Sequence, residues 1–273
     1  MATAKLLGAS IKRREDPRFI TGKGNYTDDL KLAGMTYAVF VRSPHAHARI
    51  RSIDVTAARA HPGVVAVFTG KDMTGVNSLP CGWDLRKDKN IPGVVQDLAM
   101  VPHMPLTSDT ARHVGDPVAV VIAGTLDAAT DAAAKVRVDW EALPSVTATE
   151  RAAGAGVAPI HAGAPGNVAF KWELGGGDVD AAFKAAAVVV KKRIVNQRLV
   201  ANAMEPRACV ARYEDATGEL TLWVTSQNPH VHRLLMCAFV LGIPEHKIRI
   251  IAPDVGGGFG SKIFLYNEKV ICS

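Results

Sequence analysis

Apolar and polar positions along this 273-residue chain change their pattern often enough to divide it into short elements. Residues 35–41, 50–55 and 63–68 are β-rich runs, and Thr56 is placed to cap a short helix through Arg59. Asp116-Pro117 leads into a continuous apolar run over 118–123, which predicts a strand. Thr125 then stands as N-cap for an alanine-rich helix over 126–136, and 137–140 returns as a strand. This mixture predicts an α/β (α+β) domain over 20–148. Further on, 179–187 reads as a short helix, 188–195 as a β-branched strand, and 209–213 and 220–224 as two more strands. Pro229 opens a helix over 230–241, with Gly242 as its stop. A last half-buried strand begins at Ile248 and stops at Pro253, which cannot donate to a central ladder.

Between these elements lie less regular stretches. Residues 1–19 form an N-terminal arm, and 8–34 as a whole is a polar, glycine-rich lead-in with turns. Residues 74–105 read as a long irregular insertion around Trp83. The Ala, Gly and Pro-rich stretch 149–167 reads as a linker, so 168–273 would be a second domain. Its last apolar pattern, 263–271, fits helix or strand and carries no Gly or Pro stop. The expectation is a fragment of a longer protein.

Composition narrows the class. Lys plus Arg is 32 and Asp plus Glu 26, so the balance is 32 − 26 = +6. The basic residues are dispersed, apart from short runs at 12–14 and 191–193, and aromatics are few. Stacking platforms for nucleic acid are therefore poorly supported, and anionic cofactors or partner subunits suit the charge better. Cys81, Cys209, Cys237 and Cys272 lie far apart without CxxC spacing, as expected of reduced thiols in a cytoplasmic protein. No signal-like segment opens the chain, and no window approaches the length of a membrane span.

The richest candidate chemistry lies at 252–262, where Gly256, Gly257, Gly258 and Gly260 surround Phe259 and precede Lys262. Glycine permits close backbone approach, so successive N–H groups can converge on one anion, with Phe259 pushed outward and Lys262 supplying a mobile charge. The stretch is neither a P-loop nor a GxGxxG fingerprint, because Ser261 stands where either would need glycine. An ordinary loop is the plainer alternative. Gln227, between the 220–224 strand and the following helix, can point its amide into a crevice at the strand ends. Glu205 and Arg207 flank Pro206, and a local ion pair at a strand edge is the favoured reading. His45/His47 and His230/His232 have spacings able to hold a metal on a strand, but turn and cap roles are favoured and no metal ligands are assigned. No GxSxG or HExxH motif supports hydrolysis.

Taken together, several stretches resemble the molybdenum hydroxylase (xanthine dehydrogenase/aldehyde oxidase) family, and within it the carbon monoxide dehydrogenase-like branch. They are Gly22-Lys23-Gly24-Asn25-Tyr26-Thr27-Asp28-Asp29, Val41-Arg42-Ser43-Pro44-His45-Ala46-His47-Ala48-Arg49-Ile50, Met204-Glu205-Pro206-Arg207, Ser226-Gln227-Asn228-Pro229-His230-Val231 and the 252–260 run. The resemblance implies an α/β hammerhead domain over 20–148 and the start of a molybdenum-cofactor-binding domain from 168. It implies that Gln227, Gly257, Gly258, Phe259 and Gly260 lie against a molybdopterin of the cytosine dinucleotide type, with Gln227 a neighbour of the metal. The implied reaction is oxidation of carbon monoxide, an aldehyde or an N-heterocycle with water as oxygen source. Electrons would leave through iron–sulfur and FAD subunits. The family's catalytic glutamate lies beyond the part of the subunit that this chain resembles, so the isolated chain is expected to be inactive. Two other readings stay open on the residues alone. One is a non-catalytic remnant or subunit-assembly module; the other is a nucleotide-binding α/β protein.

Overall fold

The computed structural model describes residues 7–80, 98–171 and 176–273. The arm contains α1 (Asp16–Ile20), which buries none of its residues. Two strands follow, β1 (Tyr37–Arg42) and β2 (Ala48–Asp54). The short helix α2 (Thr56–Arg59) forms where expected, but Thr56 is its first residue and not its cap: the Asp54 carboxylate accepts the Thr56 amide at 2.9 Å. Then come β3 (Val64–Thr69), the two-residue β4 (Thr110–Ala111) and β5 (Pro117–Ala123). Helix α3 (Leu126–Ala133) starts on Thr125, whose hydroxyl accepts the Ala128 amide at 3.2 Å, a cap worth about 1 kcal/mol. It ends three residues earlier than its alanines suggest, and β6 (Arg137–Ala142) follows.

These elements build two three-stranded sheets, ordered β1-β5-β3 and β4-β2-β6. The apolar run of β5 is central, antiparallel to both neighbours and buried almost throughout, which is why it shows no polar alternation. Its Ala119 and Val121 meet Ala58 of α2 and Ala132 of α3 in one core cluster. The small side chains let both short helices lie close against the sheet.

The 149–167 stretch is less of a plain linker than its composition suggests. It contains α4 (Thr149–Ala152) and is gathered by Asn167, whose side chain accepts the Ile160 amide and donates to the Ala152 and Ala158 carbonyls. Helix α5 (Val179–Ala185) is capped by Asp178, which accepts the Ala181 amide at 2.8 Å. The strand expected over 188–195 does not form. Residues 188–203 carry neither helix nor strand, and Val188, Val190, Ile194, Leu199 and Val200 face solvent. A β-branched run becomes a strand only against a partner edge, and this one pairs with none of the three described sheets.

The third sheet, ordered β7-β8-β9, holds the candidate site. β7 (Cys209–Glu214) and β8 (Glu219–Val224) form an antiparallel hairpin. From β8 the chain crosses over through α6 (Pro229–Leu235), which has proline in its first turn, and returns as β9 (Ile248–Ile251). β9 runs parallel to β8, with Leu222 opposite Ile250. Helix α6 widens into one π-helical segment over Met236–Leu241 before Gly242 ends it at φ 64°. Leu220, Leu222, Val224, Met236, Cys237 and Ile248 form the core beneath. The last helix, α7 (Asn267–Ile271), occupies only the end of the apolar pattern that precedes it.

The ends of the irregular insertion that fall within the described residues join the two parts of the chain; Cys81 and Trp83 lie outside them. Asn77 donates its amide to the Val240 carbonyl, and Leu79 shares a buried cluster with Val240 and Val270. The Asn267 side chain donates to the Met104 and Pro105 carbonyls, both at 3.1 Å.

Candidate cofactor cradle at the glycine loop

Because β8 and β9 are parallel and adjacent, the chain leaves both at the same rim of the sheet. Three residues past Val224 stands Gln227; past Ile251 comes the glycine loop. The two meet. The Gln227 side-chain carbonyl accepts the Lys262 amide at 3.2 Å, while the Gln227 amide donates to the Lys262 carbonyl at 3.1 Å. With its oxygen held by a backbone N–H, the carboxamide keeps both N–H donors for something else. Gly258 lies directly against this side chain: a Cβ there would sit 2.4 Å from Gln227 Cδ. Only glycine lets the loop approach so closely.

Phe259 is held at φ 50° in the left-handed region and is 77% exposed. A bulky residue in that conformation carries local strain, and the ring projects outward as the sequence suggests. Among the described residues, the amides of Gly257, Gly258, Phe259 and Gly260 donate to no protein acceptor. The Gly256 amide is not part of that set, since Glu205 Oε2 accepts it at 2.7 Å.

Glu205 is the residue that sequence reasoning misjudged. It forms no ion pair with Arg207. Its Oε2 instead takes Lys262 Nζ at 2.8 Å, and Arg207 stacks over the Tyr266 ring at 4.1 Å. Lys262 is 1% exposed, so it is a fixed, neutralised prop behind the loop and not the mobile cation expected there. The chain bends at Met204 and Glu205, and the loop folding back brings the lysine to the carboxylate. Glu205 Oε1 is buried and has no hydrogen-bond partner among the described residues.

Asp254 ties the arm to the loop. Arg18 grips its carboxylate with both terminal nitrogens, one of them at 2.6 Å; the Asn25 amide donates to it at 2.8 Å, and the Asp254 amide returns a bond to the Asn25 carbonyl. The Arg18 hydrogen bond, with help from the Asn25 amide, holds this carboxyl below the usual carboxylate range. Its position between Pro253 and the glycines was legible; its partner 236 residues away was not.

The histidines serve packing and turns. His47 Nδ1 lies 2.8 Å from the Pro144 carbonyl, and His45 meets Trp140 edge-on. His232 is fully buried between the Ser226 hydroxyl at 3.0 Å and the Ile263 carbonyl at 2.7 Å, which fixes the loop's exit against α6. Burial, reinforced by nearby Lys269, pushes its pKa down to about 4. His230 and His232 sit on a helix, where a spacing of two does not share a face. Among the described residues, no group of three or more His, Cys, Asp or Glu side chains is placed to hold a metal ion.

A cavity of about 890 Å³ lies away from the loop, between β1 with the segment before it and β7 with α7. The loop's own outer face opens to solvent, with Gln227 and Phe259 exposed.

An α+β chain whose parallel strand ends present an amide and a turn of unpaired N–H groups has the donors that an anionic ligand needs. Residues 21–144 match the aldehyde oxidase and xanthine dehydrogenase a/b hammerhead domain, and residues 160–273 match the molybdopterin cofactor-binding domain. The chain belongs to the molybdenum hydroxylase family. The carbon monoxide dehydrogenase large chain of Afipia carboxidovorans is 40% identical over 97% of this chain and 32% of its own length. The nicotine 6-hydroxylase large subunit of Paenarthrobacter nicotinovorans is 36% identical, over 98% of this chain and 32% of its own length. Among solved structures, the Cu,Mo-CO dehydrogenase in its carbon monoxide reduced state superposes with a TM-score of 0.80 at 37% identity, covering 97% of this chain and 33% of that one. Quinoline 2-oxidoreductase from Pseudomonas putida 86 gives a TM-score of 0.79 at 36% identity, covering 97% and 32%. The chain thus spans about a third of the length of the relatives it matches. Those relatives are named as large chains or subunits, and no described helix here is long and apolar enough to cross a membrane.

Proposed function

We propose that Gln227 and the 256–260 turn form one wall of the molybdopterin site in the catalytic subunit of a molybdenum hydroxylase. The observation that carries this reading is the meeting of two donor sets at one sheet rim: the free N–H groups of the Gln227 carboxamide and the unpaired amides of Gly257, Gly258, Phe259 and Gly260. These donors suit the phosphate and pterin oxygens of a dinucleotide form of the cofactor, and the +6 charge of the chain suits its anionic tail. The fit also holds sterically, because glycine at 258 leaves the approach to Gln227 open.

In this site each residue has a defined task. The loop amides bind and orient; the Gln227 carboxamide, fixed by the Lys262 amide, donates toward the metal end; the Phe259 ring covers the cofactor and excludes water. Glu205 and Lys262 hold the loop from behind. The cofactor supplies the redox centre that oxidises a small substrate with water as oxygen source, and electrons pass to iron–sulfur and FAD subunits. Carbon monoxide, an aldehyde and an N-heterocycle are the candidate substrates. The catalytic glutamate comes from polypeptide outside this chain, so the chain alone does not turn over. The apolar side chains exposed over 188–200 support a working state in which further polypeptide covers them.

Hydrogen–deuterium exchange of the chain, with and without isolated molybdopterin cofactor, tests the reading. Protection confined to the peptides carrying Gln227 and 256–260 is expected. Unchanged exchange there, or protection only elsewhere, would overturn it.

A further inference from the structure

Two thiols outside the cradle line the same 890 Å³ cavity. Cys209 begins β7 and Cys272 caps α7 at its C-terminal end; both line the cavity, and both are partly exposed to it. One carbonyl brings them together. The Glu268 oxygen accepts the Cys272 amide at 3.0 Å and the Cys209 thiol at 3.7 Å, so the backbone of one cysteine and the sulfur of the other share a single acceptor.

We propose that Cys209 and Cys272 form a redox-active dithiol that closes to a disulfide when it meets a small disulfide such as glutathione disulfide. The bond would fasten α7 to the outer edge of the third sheet. In the first step the Cys272 thiolate attacks one sulfur of glutathione disulfide and expels a glutathione thiolate. In the second, the Cys209 thiol loses its proton and attacks the Cys272 sulfur, expelling the second glutathione. Protein dithiol and glutathione disulfide are thus converted into protein disulfide and two glutathione molecules, with two electrons passing from the cysteines to glutathione.

The division of roles follows from the way the two thiols act on one another. The neighbouring Cys209 thiol holds Cys272 below its ordinary value, while Cys272 raises Cys209 well above it, with burial adding to the rise at Cys209. Cys272 is therefore the first nucleophile, and Cys209 the resolving thiol. Cys237, by contrast, is buried in the core of the third sheet, and the same burial pushes its thiol up. It has no such partner among the described residues.

The test is incubation of the purified chain with glutathione disulfide, followed by non-reducing peptide mass spectrometry. A peptide pair joined through Cys209 and Cys272, lighter by two hydrogen atoms than its reduced form, is the expected product. Cys209→Ser should instead trap a glutathione adduct on Cys272, and Cys272→Ser should slow adduct formation at Cys209 at least tenfold. Closing should also raise the Tm of the wild-type chain and leave that of both variants unmoved. Glutathione adducts on both cysteines of the wild type without a cross-link, no reaction at either, or equal reactivity in the two variants would each overturn the proposal. Peptide mapping under denaturing alkylation shows that the thiols were reduced at the start.

Discussion

Glu205 and Lys262 form an ion pair of 2.8 Å behind the glycine loop, although 57 residues separate them in the chain. The same carboxylate oxygen accepts the Gly256 amide, so one side chain fixes both ends of the loop. A carboxylate and an ammonium this deeply buried hold the loop only while both are present. Removing one leaves the other charged and out of reach of water.

Lys262→Met is therefore expected to destabilise the chain by about 3–5 kcal/mol. Adding Glu205→Gln should recover part of the loss, since the orphaned charge disappears while the Gly256 contact survives. Urea unfolding of the single and double variants measures this. A single-variant loss below about 1 kcal/mol would mean that Glu205 finds solvent, against its position in the structure.

Phe259 separates folding from ligand binding. Its left-handed backbone costs a bulky residue about 1–2 kcal/mol, and glycine would relieve that while gaining freedom in the unfolded chain. Phe259→Gly should thus leave stability within about 1 kcal/mol of the parent. Cofactor-dependent protection of the loop amides should fall markedly, as read by hydrogen–deuterium exchange.

Acid should weaken the fold through His232. Its folded pKa, lowered by burial and by Lys269 to about 4, lies below the ordinary value near 6.5. Between those values the unfolded chain binds the extra proton, so stability rises with pH across that window, by roughly 3 kcal/mol in all. Burial of His103 and His161 lowers their pKa too and acts with the same sign. Unfolding free energies between pH 4.5 and 7 should show the rise, and His232→Asn should flatten most of it. Buried Lys269, brought down to about 8 chiefly by desolvation, produces a second rise from about pH 8 towards its ordinary value near 10.4.

Asp254 should govern the arm. Asp254→Asn removes the charge that Arg18 grips and leaves the arm with far fewer ties to the loop. Limited trypsin digestion is expected to cut after Arg13, Arg14 or Lys23 several times faster in the variant, with the rest of the chain cut at the parent's rate. An unchanged arm would show that the parallel bridge between Tyr26 and Asp254 is enough by itself.

How far all this was legible depends on the distance over which each residue finds its partner. The β5 run, the Thr125 cap and the Gly242 stop are local, and each stands where the sequence puts it. So does the outward Phe259, because the glycines around it leave the loop few alternatives. Lys262 was misjudged because nothing near it in sequence reveals that Glu205 comes to meet it. The 188–195 run was misjudged for the opposite reason: its composition states a preference for pairing, and it pairs with no strand of the described sheets. The Glu205–Arg207 pairing was a local guess overruled by the stacking of Arg207 on Tyr266.

The π-helical widening over Met236–Leu241 has a use beyond its own packing. Such a bulge commonly marks one residue more than the regular spiral needs, taken up sideways. Here it lies in the crossover, on the far side of the sheet connection from the two exits that carry Gln227 and the glycines. A residue gained or lost in that connection can be taken up by the spiral, so the amide and the turn keep their separation.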